Sequence, residues 1–356
     1  MVQLRKILFD HVTRYPQMLP EDAVKLVYQN EFGCGHYVDN EVASLARLRE
    51  EVQNLRPAVT NPTELFEDIG NGFSRLQLNA LGDSLSLETV NRFFINTSRL
   101  EPGSEERFEK KLELLVALSL KGVLPFNPEV LGSYLQSYKK AGYPPVSHSQ
   151  IYRELYAPSY RVVSSLYAHY FSLFLEIDRL LARQKSVVVA IDGPSGSGKS
   201  TLGEILQAVY DSPVVRMDHF FLRPEQRNPQ RLEEPGGNVD YERFQKEVVV
   251  SLRSNETFSY RIYDCKQNTL TWSEPIEAHR LRVVEGSYSL HPTLREDYDL
   301  RVFLTISPER QRERILKRNG PVMLERFVTE WIPLEELYFT HCQTKEQSDL
   351  VIGEYV

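Results

Sequence analysis

The sequence predicts two domains of different class: a mostly α-helical domain over residues 1–184 and a doubly wound parallel α/β domain over residues 185–356. Three observations support this division. A chain of 356 residues is long for a single domain. Before position 184, apolar residues recur mainly at helical spacings of three and four. After it, short β-branched runs alternate with amphipathic segments, which is typical of a parallel sheet covered by helices.

Helical periodicity in the first half is clearest over residues 21–32, 40–55 and 105–121. A further stretch, residues 150–184, is rich in aromatic side chains and is predicted as helix with a break or kink near Pro158. Because no Pro- or Ser-rich linker follows, we expect this helix to run directly into the second half.

The strand candidates of the second half are continuous apolar runs, as expected for strands covered on both faces. They lie at residues 187–191, 213–217, 281–286, 300–306 and 349–352. Amphipathic segments between them, at residues 199–210, 241–253 and 308–318, are predicted as helices.

Composition excludes several classes of protein. With 41% hydrophobic and 26% charged residues, the chain is neither disordered nor of low complexity. A net charge of -7 argues against nucleic acid as the main partner. Cys34, Cys265 and Cys342 lie too far apart for a disulfide framework or zinc cluster.

Because apolar runs are too short to span a membrane and no signal peptide is recognisable, we expect a soluble, cytoplasmic protein. A homo-oligomer is compatible with the sequence.

One motif carries specific chemistry. Residues 193–200, GPSGSGKS, follow a predicted strand, open a predicted helix and match the phosphate-binding P-loop at every fixed position. Glycines allow backbone N–H groups to surround phosphate oxygens. Lys199 is expected to reach the β- and γ-phosphates and Ser200 to bind Mg²⁺, so ATP and Mg²⁺ are the predicted cofactors. The predicted nucleotide-binding residues are Gly193, Pro194, Ser195, Gly196, Ser197, Gly198, Lys199, Ser200 and Thr201.

Carboxyl groups follow two other predicted strands. At the C-terminal end of a parallel strand, Asp218 would face the ligand crevice and accept a proton from an attacking hydroxyl, or help to hold Mg²⁺ through water. The alternative is a turn or N-cap aspartate. Glu285, after the next strand, is a candidate metal residue or, alternatively, a surface carboxyl.

Basic residues cluster after the fourth strand of this domain. On a helix, Arg310, Arg314 and Arg318 share one face. A mobile helix of this kind can close over a transferred phosphoryl group, with Arg314 as a catalytic candidate. The alternative is a solvated face balanced by neighbouring glutamates.

In this ordered series of motifs the sequence resembles the P-loop kinases of the uridine kinase and phosphoribulokinase group, over about residues 186–352. The segment from Asp218 resembles the family's Asp-Ser-Phe-Tyr, which implies that Asp218 is the catalytic base. The resemblance also implies that Asp240, Tyr263 and His219 contact the substrate, that Glu285 ends the Glu-Gly strand, and that Arg310 and Arg314 belong to a lid.

Two departures concern the acceptor. The histidine that contacts the pyrimidine in uridine kinases is absent from Cys265-Lys266-Gln267-Asn268, and the later Arg-Gly-Arg of the lid is missing. The predicted function is therefore ATP-dependent phosphorylation of a hydroxyl on a nucleoside-like small molecule, with a sugar or a pantothenate-like alcohol as further candidates. The alternatives are a nucleotide-dependent switch, whose helical domain contacts a partner, and a kinase of polynucleotide ends.

The first half is interpreted as a helical accessory domain. Its cluster of Glu31, Cys34 and His36 suggests either a metal or catalytic site, or a helix C-cap and turn. His148 is interpreted as a turn or cap residue.

Overall fold

The computed structural model describes residues 1–35, 38–55, 64–82, 84–100, 103–254 and 256–355. The chain divides into two compact units, Met1–Phe171 and Ser172–Val356. Each unit contains a hydrophobic core cluster built from its own residues.

The first unit is largely helical, as predicted. Side-chain N-caps begin several of its helices: Asn40 accepts from the Ala43 amide, and Ser104 accepts from the Arg107 amide. Gly33, in a positive-φ conformation, is the C-cap of the helix that contains Glu31. The α-helices are Val2–Arg14, Pro20–Phe32, Glu41–Gln53, Leu87–Ser98, Glu105–Leu120, Pro128–Lys140, Gln150–Tyr156 and Ser165–His169, with a 3₁₀ turn at Leu78–Ala80.

A small antiparallel sheet accompanies these helices, with strands β1 (Phe66–Gly70), β2 (Phe73–Gln77) and β3 (Tyr160–Ser164) in that order. The prediction of a helical stretch over residues 150–184, broken or kinked near Pro158, is therefore wrong at β3. The first helix of this stretch ends at Tyr156, and its C-cap Ala157, which precedes Pro158, is left-handed with φ of 40°. The β-branched residues that follow then pair with β2 and become buried.

The second unit contains a five-stranded parallel sheet flanked by helices, and the predicted fold class is confirmed. All five predicted strands belong to this sheet, in the order β10-β9-β4-β8-β5. A two-stranded hairpin, β6–β7, lies outside it. The strands are β4 (Val187–Asp192), β5 (Val214–Arg216), β6 (Arg261–Asp264), β7 (Thr269–Trp272), β8 (Leu281–Glu285), β9 (Leu300–Leu304) and β10 (Leu350–Ile352).

The helices of this unit include both predicted and additional elements. The helix over 308–318 continues to Arg326 but is interrupted at Gly320, which has φ of 79° and precedes Pro321. The α-helices are Phe171–Arg183, Lys199–Tyr210, Pro229–Glu233, Tyr241–Phe244, Val250–Arg253, Pro308–Arg326 and Ile332–His341. Gln245–Val249 and Phe327–Trp331 are π-helical, and 3₁₀ turns occur at Met217–Phe220, Pro224–Gln226 and Arg295–Asp297.

Strand β4 occupies the centre of the parallel sheet, between β8 and β9. Its residues Val187–Ile191 are almost completely buried, which explains their continuous apolar character. Because the strands are parallel, their carboxyl ends share one edge, where ligands bind in open α/β sheets. Within the described ranges, no helix has the length and apolar character needed to cross a membrane.

Candidate active site

The loop from β4 to the helix Lys199–Tyr210 is shaped by glycines. Gly193 has φ of 143°, and a Cβ atom there would lie 2.3 Å from the carbonyl oxygen of Leu304 at the end of β9. Gly198, with φ of 105°, is the N-cap residue of the helix. Both positions favour glycine because other side chains would strain the backbone. The loop thus leads into a helix N-terminus, whose partial positive charge favours phosphate.

The Lys199 side chain folds back over this loop. It is 8% exposed, and its Nζ donates to the carbonyl oxygens of Gly193 at 2.7 Å and Pro194 at 2.9 Å. The Ser197 hydroxyl is buried and has no hydrogen-bond partner among the described residues. A buried hydroxyl without a partner is costly, so the loop retains hydrogen-bonding capacity for a ligand.

Ser200 and Glu285 meet beside the loop. The Ser200 hydroxyl donates to Glu285 Oε2 at 3.2 Å, and Arg216 Nε lies 3.8 Å from Glu285 Oε1. Glu285 is buried at the end of β8, whereas Asp218 is exposed in the 3₁₀ turn after β5. Burial and the neighbouring Asp218 raise the pKa of Glu285, although Lys199 and Arg216 oppose this effect.

This donor set fits the cofactors expected from the sequence. Carboxyl and hydroxyl oxygens are the ligands that Mg²⁺ prefers, and Mg²⁺ commonly keeps water and phosphate oxygens as its other ligands. The described residues contain no cluster of three or more His, Cys, Asp or Glu that could hold a metal by itself. Ser200 and Glu285 are therefore suited to a metal ion that is also bound by a triphosphate.

Asp240 is held in a network beside the Asp218 turn. Its carboxyl accepts from the Gln226 side chain at 2.8 Å and from the Arg243 amide at 3.1 Å, and it forms an ion pair with Arg243. Its own amide donates to the Phe220 carbonyl at 2.7 Å. Asp240 lines a cavity of about 580 Å³, large enough for a small metabolite.

Of the other two predicted substrate residues, His219 belongs to the same turn and Tyr263 lies on β6. The buried Tyr263, on β6, donates through its hydroxyl to Asn268 at 2.7 Å. His219 Nδ1 lies 2.9 Å from the Tyr260 hydroxyl, and burial together with Arg216 lowers the pKa of His219. Neither residue lines the cavity at Asp240. The three predicted substrate residues therefore do not share one cavity.

The three predicted lid arginines have different surroundings. Arg314 contacts the loop by donating to the Gly196 carbonyl at 3.1 Å. Arg310 pairs with Glu354 at 3.1 Å, and the exposed Arg318 donates to the Asn319 side chain. Of the three, Arg314 is the one that contacts the phosphate-binding loop.

Asp192, which precedes the loop, is a residue of this site that was not predicted from the sequence. It is fully buried and accepts hydrogen bonds from the amides of Gly193, Tyr288 and Leu290 and from the Tyr338 hydroxyl. Burial raises the pKa of Asp192 to about 6, although these hydrogen bonds oppose the rise. Asp192 therefore connects the loop after β4 to the loop after β8. Its position at the strand end was a usable sequence signal.

Glu335 was also missed. It is buried on the helix Ile332–His341 and accepts from the Ser195 amide at 2.9 Å and the Ser195 hydroxyl at 2.5 Å. It also accepts from the Ser287 hydroxyl at 2.8 Å. Glu335 thus fixes the third residue of the phosphate-binding loop from a position 140 residues away. No motif in its neighbourhood indicates this role.

We expect Glu335→Ala to lower the free energy of unfolding by about 1–3 kcal/mol, because it leaves the part-buried Ser195 amide without an acceptor. Glu335→Gln should cost much less, since its amide oxygen can accept from Ser195 and the serine hydroxyls can rotate. Chemical denaturation of the three proteins measures the difference. Equal stability of Glu335→Ala and the parent would contradict this account.

Solved structures resemble part of the chain. A possible uridine kinase from Bacillus stearothermophilus is 20% identical, aligns with 51% of this chain and 99% of its own, and has a TM-score of 0.39. A structure from Silicibacter sp. TM1040, named for a fructose transport system kinase, is 23% identical over 48% of this chain and 91% of its own, with a TM-score of 0.38. Shikimate kinase from Bacteroides thetaiotaomicron is 14% identical over 47% and 86%, with a TM-score of 0.24.

These structural similarities each extend over about half of this chain. No protein-family model and no curated protein sequence matches it. These three neighbours are kinases by name, and their similarity to the present chain is one of fold.

Proposed function

We propose that the second unit is an ATP- and Mg²⁺-dependent kinase that phosphorylates a hydroxyl of a nucleoside-like small molecule, in the manner of the uridine kinase and phosphoribulokinase group. One observation carries this proposal. Segments that follow β4 and β5 and the end of β8 come together at one edge of the sheet, and they carry Lys199 and Ser200, Asp218, and Glu285, respectively. The adjoining loop has a buried hydroxyl, that of Ser197, without a hydrogen-bond partner among the described residues.

The residues of the loop edge would divide the work of holding the cofactors. Lys199 and the loop amides would bind the phosphates of ATP, and Ser200 and Glu285 would bind Mg²⁺. When bound, ATP supplies the phosphoryl group, and Mg²⁺ neutralises charge on it. Because burial and Asp218 raise the pKa of Glu285, protons compete with the metal for this carboxyl group as the pH falls.

Asp218 is the proposed general base. Its exposed carboxyl is suited to receive the proton of the acceptor hydroxyl as that oxygen attacks. Arg314, which donates to the Gly196 carbonyl, would neutralise charge that develops at the loop. Positioning and electrostatics of this kind account for most of the catalysis of phosphoryl transfer.

The acceptor is proposed to bind near Asp240, with Tyr263 and His219 supporting the turn that carries Asp218. The cavity at Asp240 is polar and contains charges of both signs, including Arg223, Lys246 and Glu242. Such a lining favours a molecule with several hydroxyl groups over an apolar one. A sugar-bearing acceptor therefore suits the site.

The test is phosphate transfer from ATP, with Mg²⁺, to a panel of nucleosides, sugars and vitamin alcohols, alongside a reaction without acceptor. We expect ADP formation that depends on one class of acceptor, together with a phosphorylated product identified by mass spectrometry. Slow hydrolysis that is independent of every acceptor would contradict the kinase and favour the nucleotide-dependent switch.

A further inference from the structure

The first unit contains a cavity of about 680 Å³, within the range of small-molecule sites. It is lined by cationic, anionic and aromatic side chains that come from several helices and from β3, including Lys25, Arg47, His148, Tyr160 and Arg161. None of these residues belongs to the second unit, so the cavity is independent of the proposed kinase site.

A chain of hydrogen bonds orients the polar groups on one wall of this cavity. The carboxyl of Asp22 lies 2.9 Å from His148 Nδ1, and His148 Nε2 lies 2.7 Å from the Tyr160 hydroxyl. Burial lowers the pKa of His148 to about 4, so its ring is neutral at neutral pH. The ring therefore donates to Asp22 and accepts from Tyr160. His148, interpreted from sequence as a turn or cap residue, directly precedes the N-cap residue Ser149 and is a buried link in this chain of hydrogen bonds.

The chain of hydrogen bonds continues to the buried guanidinium of Arg75. Gln29 donates to the Tyr160 hydroxyl at 3.3 Å, and its carbonyl accepts from Arg75 Nε at 3.0 Å and Nη2 at 2.8 Å. Arg75 is 1% exposed and also lies over the Tyr160 ring. Behind Tyr160, the Arg75 guanidinium also forms an ion pair with the buried Glu67 carboxyl at 3.5 Å.

Lys25 projects a partly buried ammonium group at the same cavity. Its Nζ donates to the Val146 carbonyl at 2.7 Å, and no carboxyl group lies within ion-pair distance of it in the described parts of the chain. Burial, reinforced by the charge of Arg75, lowers the pKa of Lys25 to about 8. The nearby Asp22 already accepts from His148, Leu19 and Ser149.

The other charged residues of the cavity do not neutralise Lys25. Arg161 pairs with Glu51 at 2.7 Å, and the exposed Asp39 forms no ion pair that involves Lys25. Arg47 is exposed and has no ion-pair partner within the described ranges. Two cationic side chains of the lining thus have donors available for a ligand. Burying a charge without a partner is unfavourable, and proteins accept that cost mainly at sites of function.

We propose that this cavity is a binding site for a small molecule with an anionic group, a carboxylate or a phosphate ester, which contacts Lys25. Tyr160, held by His148, and Gln29 would orient the polar remainder of the ligand. The first unit is then a ligand-binding domain and more than a helical support. The proposal stands whether or not the second unit is a kinase.

The test follows Lys25 itself in the full chain. With lysine labelled at ¹³Cε, the NMR signal that disappears in Lys25→Arg identifies Lys25, and its titration gives the pKa. Inorganic phosphate and succinate are added in separate experiments as phosphate and carboxylate probes. We expect one probe to raise the pKa of Lys25 by about one pH unit or more, since an opposite charge at close range has this effect. A pKa that neither probe changes at saturating concentration overturns the proposal.

Equilibrium dialysis provides a second readout. Because phosphate also suits the loop of the second unit, dialysis uses the full chain with Lys199→Met, alone and combined with Lys25→Met or Lys140→Met. Lys140 is exposed and serves as the matched control. We expect Lys25→Met to weaken binding of the effective probe at least about tenfold, the loss of one close charge contact, and Lys140→Met to leave it unchanged. Equal binding by the Lys25 and Lys140 variants, with melting curves that show folded protein, also overturns the proposal.

Discussion

Replacing Asp218 with Asn is expected to reduce turnover by roughly 10²–10⁴-fold, the usual loss when a general base is removed. Asn has nearly the same shape but cannot accept the proton of the acceptor hydroxyl. Because Asp218 is exposed in the turn after β5, the substitution should leave the fold intact. Removing its charge from beside Glu285 should also ease the deprotonation of Glu285. The measurement is kcat with the acceptor that the panel identifies.

Asp211→Asn is the matched control for this experiment. Asp211 is another exposed aspartate of the second unit, at the C-cap of the helix Lys199–Tyr210. Asp211 has φ of 55°, a conformation that Asn also tolerates well. The turnover of the Asp211→Asn protein should therefore equal that of the parent. If Asp218→Asn and Asp211→Asn have the same turnover as the parent, Asp218 is not the base.

Lys199→Met is expected to lower kcat by roughly 10²–10³-fold, the loss typical of removing one preorganised donor to developing charge. The Met side chain is unbranched and one atom shorter than that of Lys, and it lacks the ammonium group. The carbonyl oxygens of Gly193 and Pro194 lose the ammonium donor but keep the Ser287 hydroxyl and the Ser197 amide, respectively, so only a modest fall in melting temperature should accompany the loss of activity. Steady-state kinetics with saturating acceptor measures the effect.

Lys345→Met provides the control for Lys199, because Lys345 is an exposed lysine of the same unit. It should retain both kcat and melting temperature. A Lys199→Met protein that is folded and transfers phosphate at the parental rate would remove this lysine from the proposed mechanism. If the two readouts separate, with stability lost and kcat retained, Lys199 has only a structural part in the loop.

The local sequence pattern was sufficient to predict the strands of the parallel sheet and the loop after β4 in the second unit. The five strand segments are continuous apolar runs because both faces of their sheet are covered, and burial of Val187–Ile191 agrees with that reasoning. The phosphate-binding loop was predictable because its glycines satisfy a requirement of the local backbone. Asp218 and Glu285 were predictable as neighbours because parallel strands place their carboxyl ends at one edge.

Residues whose partners are distant in sequence were not predictable in this way. Glu335 resembles any other glutamate on a helix until the fold places it against Ser195. The contacts of His148 were not predictable for the same reason, since its neighbours Asp22 and Tyr160 come from a helix and from a strand that are distant in sequence. Neither contact leaves a fixed spacing in the chain.

Strand β3 shows the same limit for secondary structure. Residues 150–184 have aromatic residues at helical spacing, but the segment Tyr160–Ser164 gains its ladder of hydrogen bonds from β2, more than 80 positions earlier. Pairing of that kind overrides local preference when the β-branched residues Val162 and Val163 become buried by it. The sequence alone determined the parallel sheet, the loop and the strand-end carboxyls, because short-range geometry specifies them. The tertiary structure decided the small antiparallel sheet, the contact of Glu335 with Ser195 and the cavity at Lys25, because these depend on which distant residues the fold brings together.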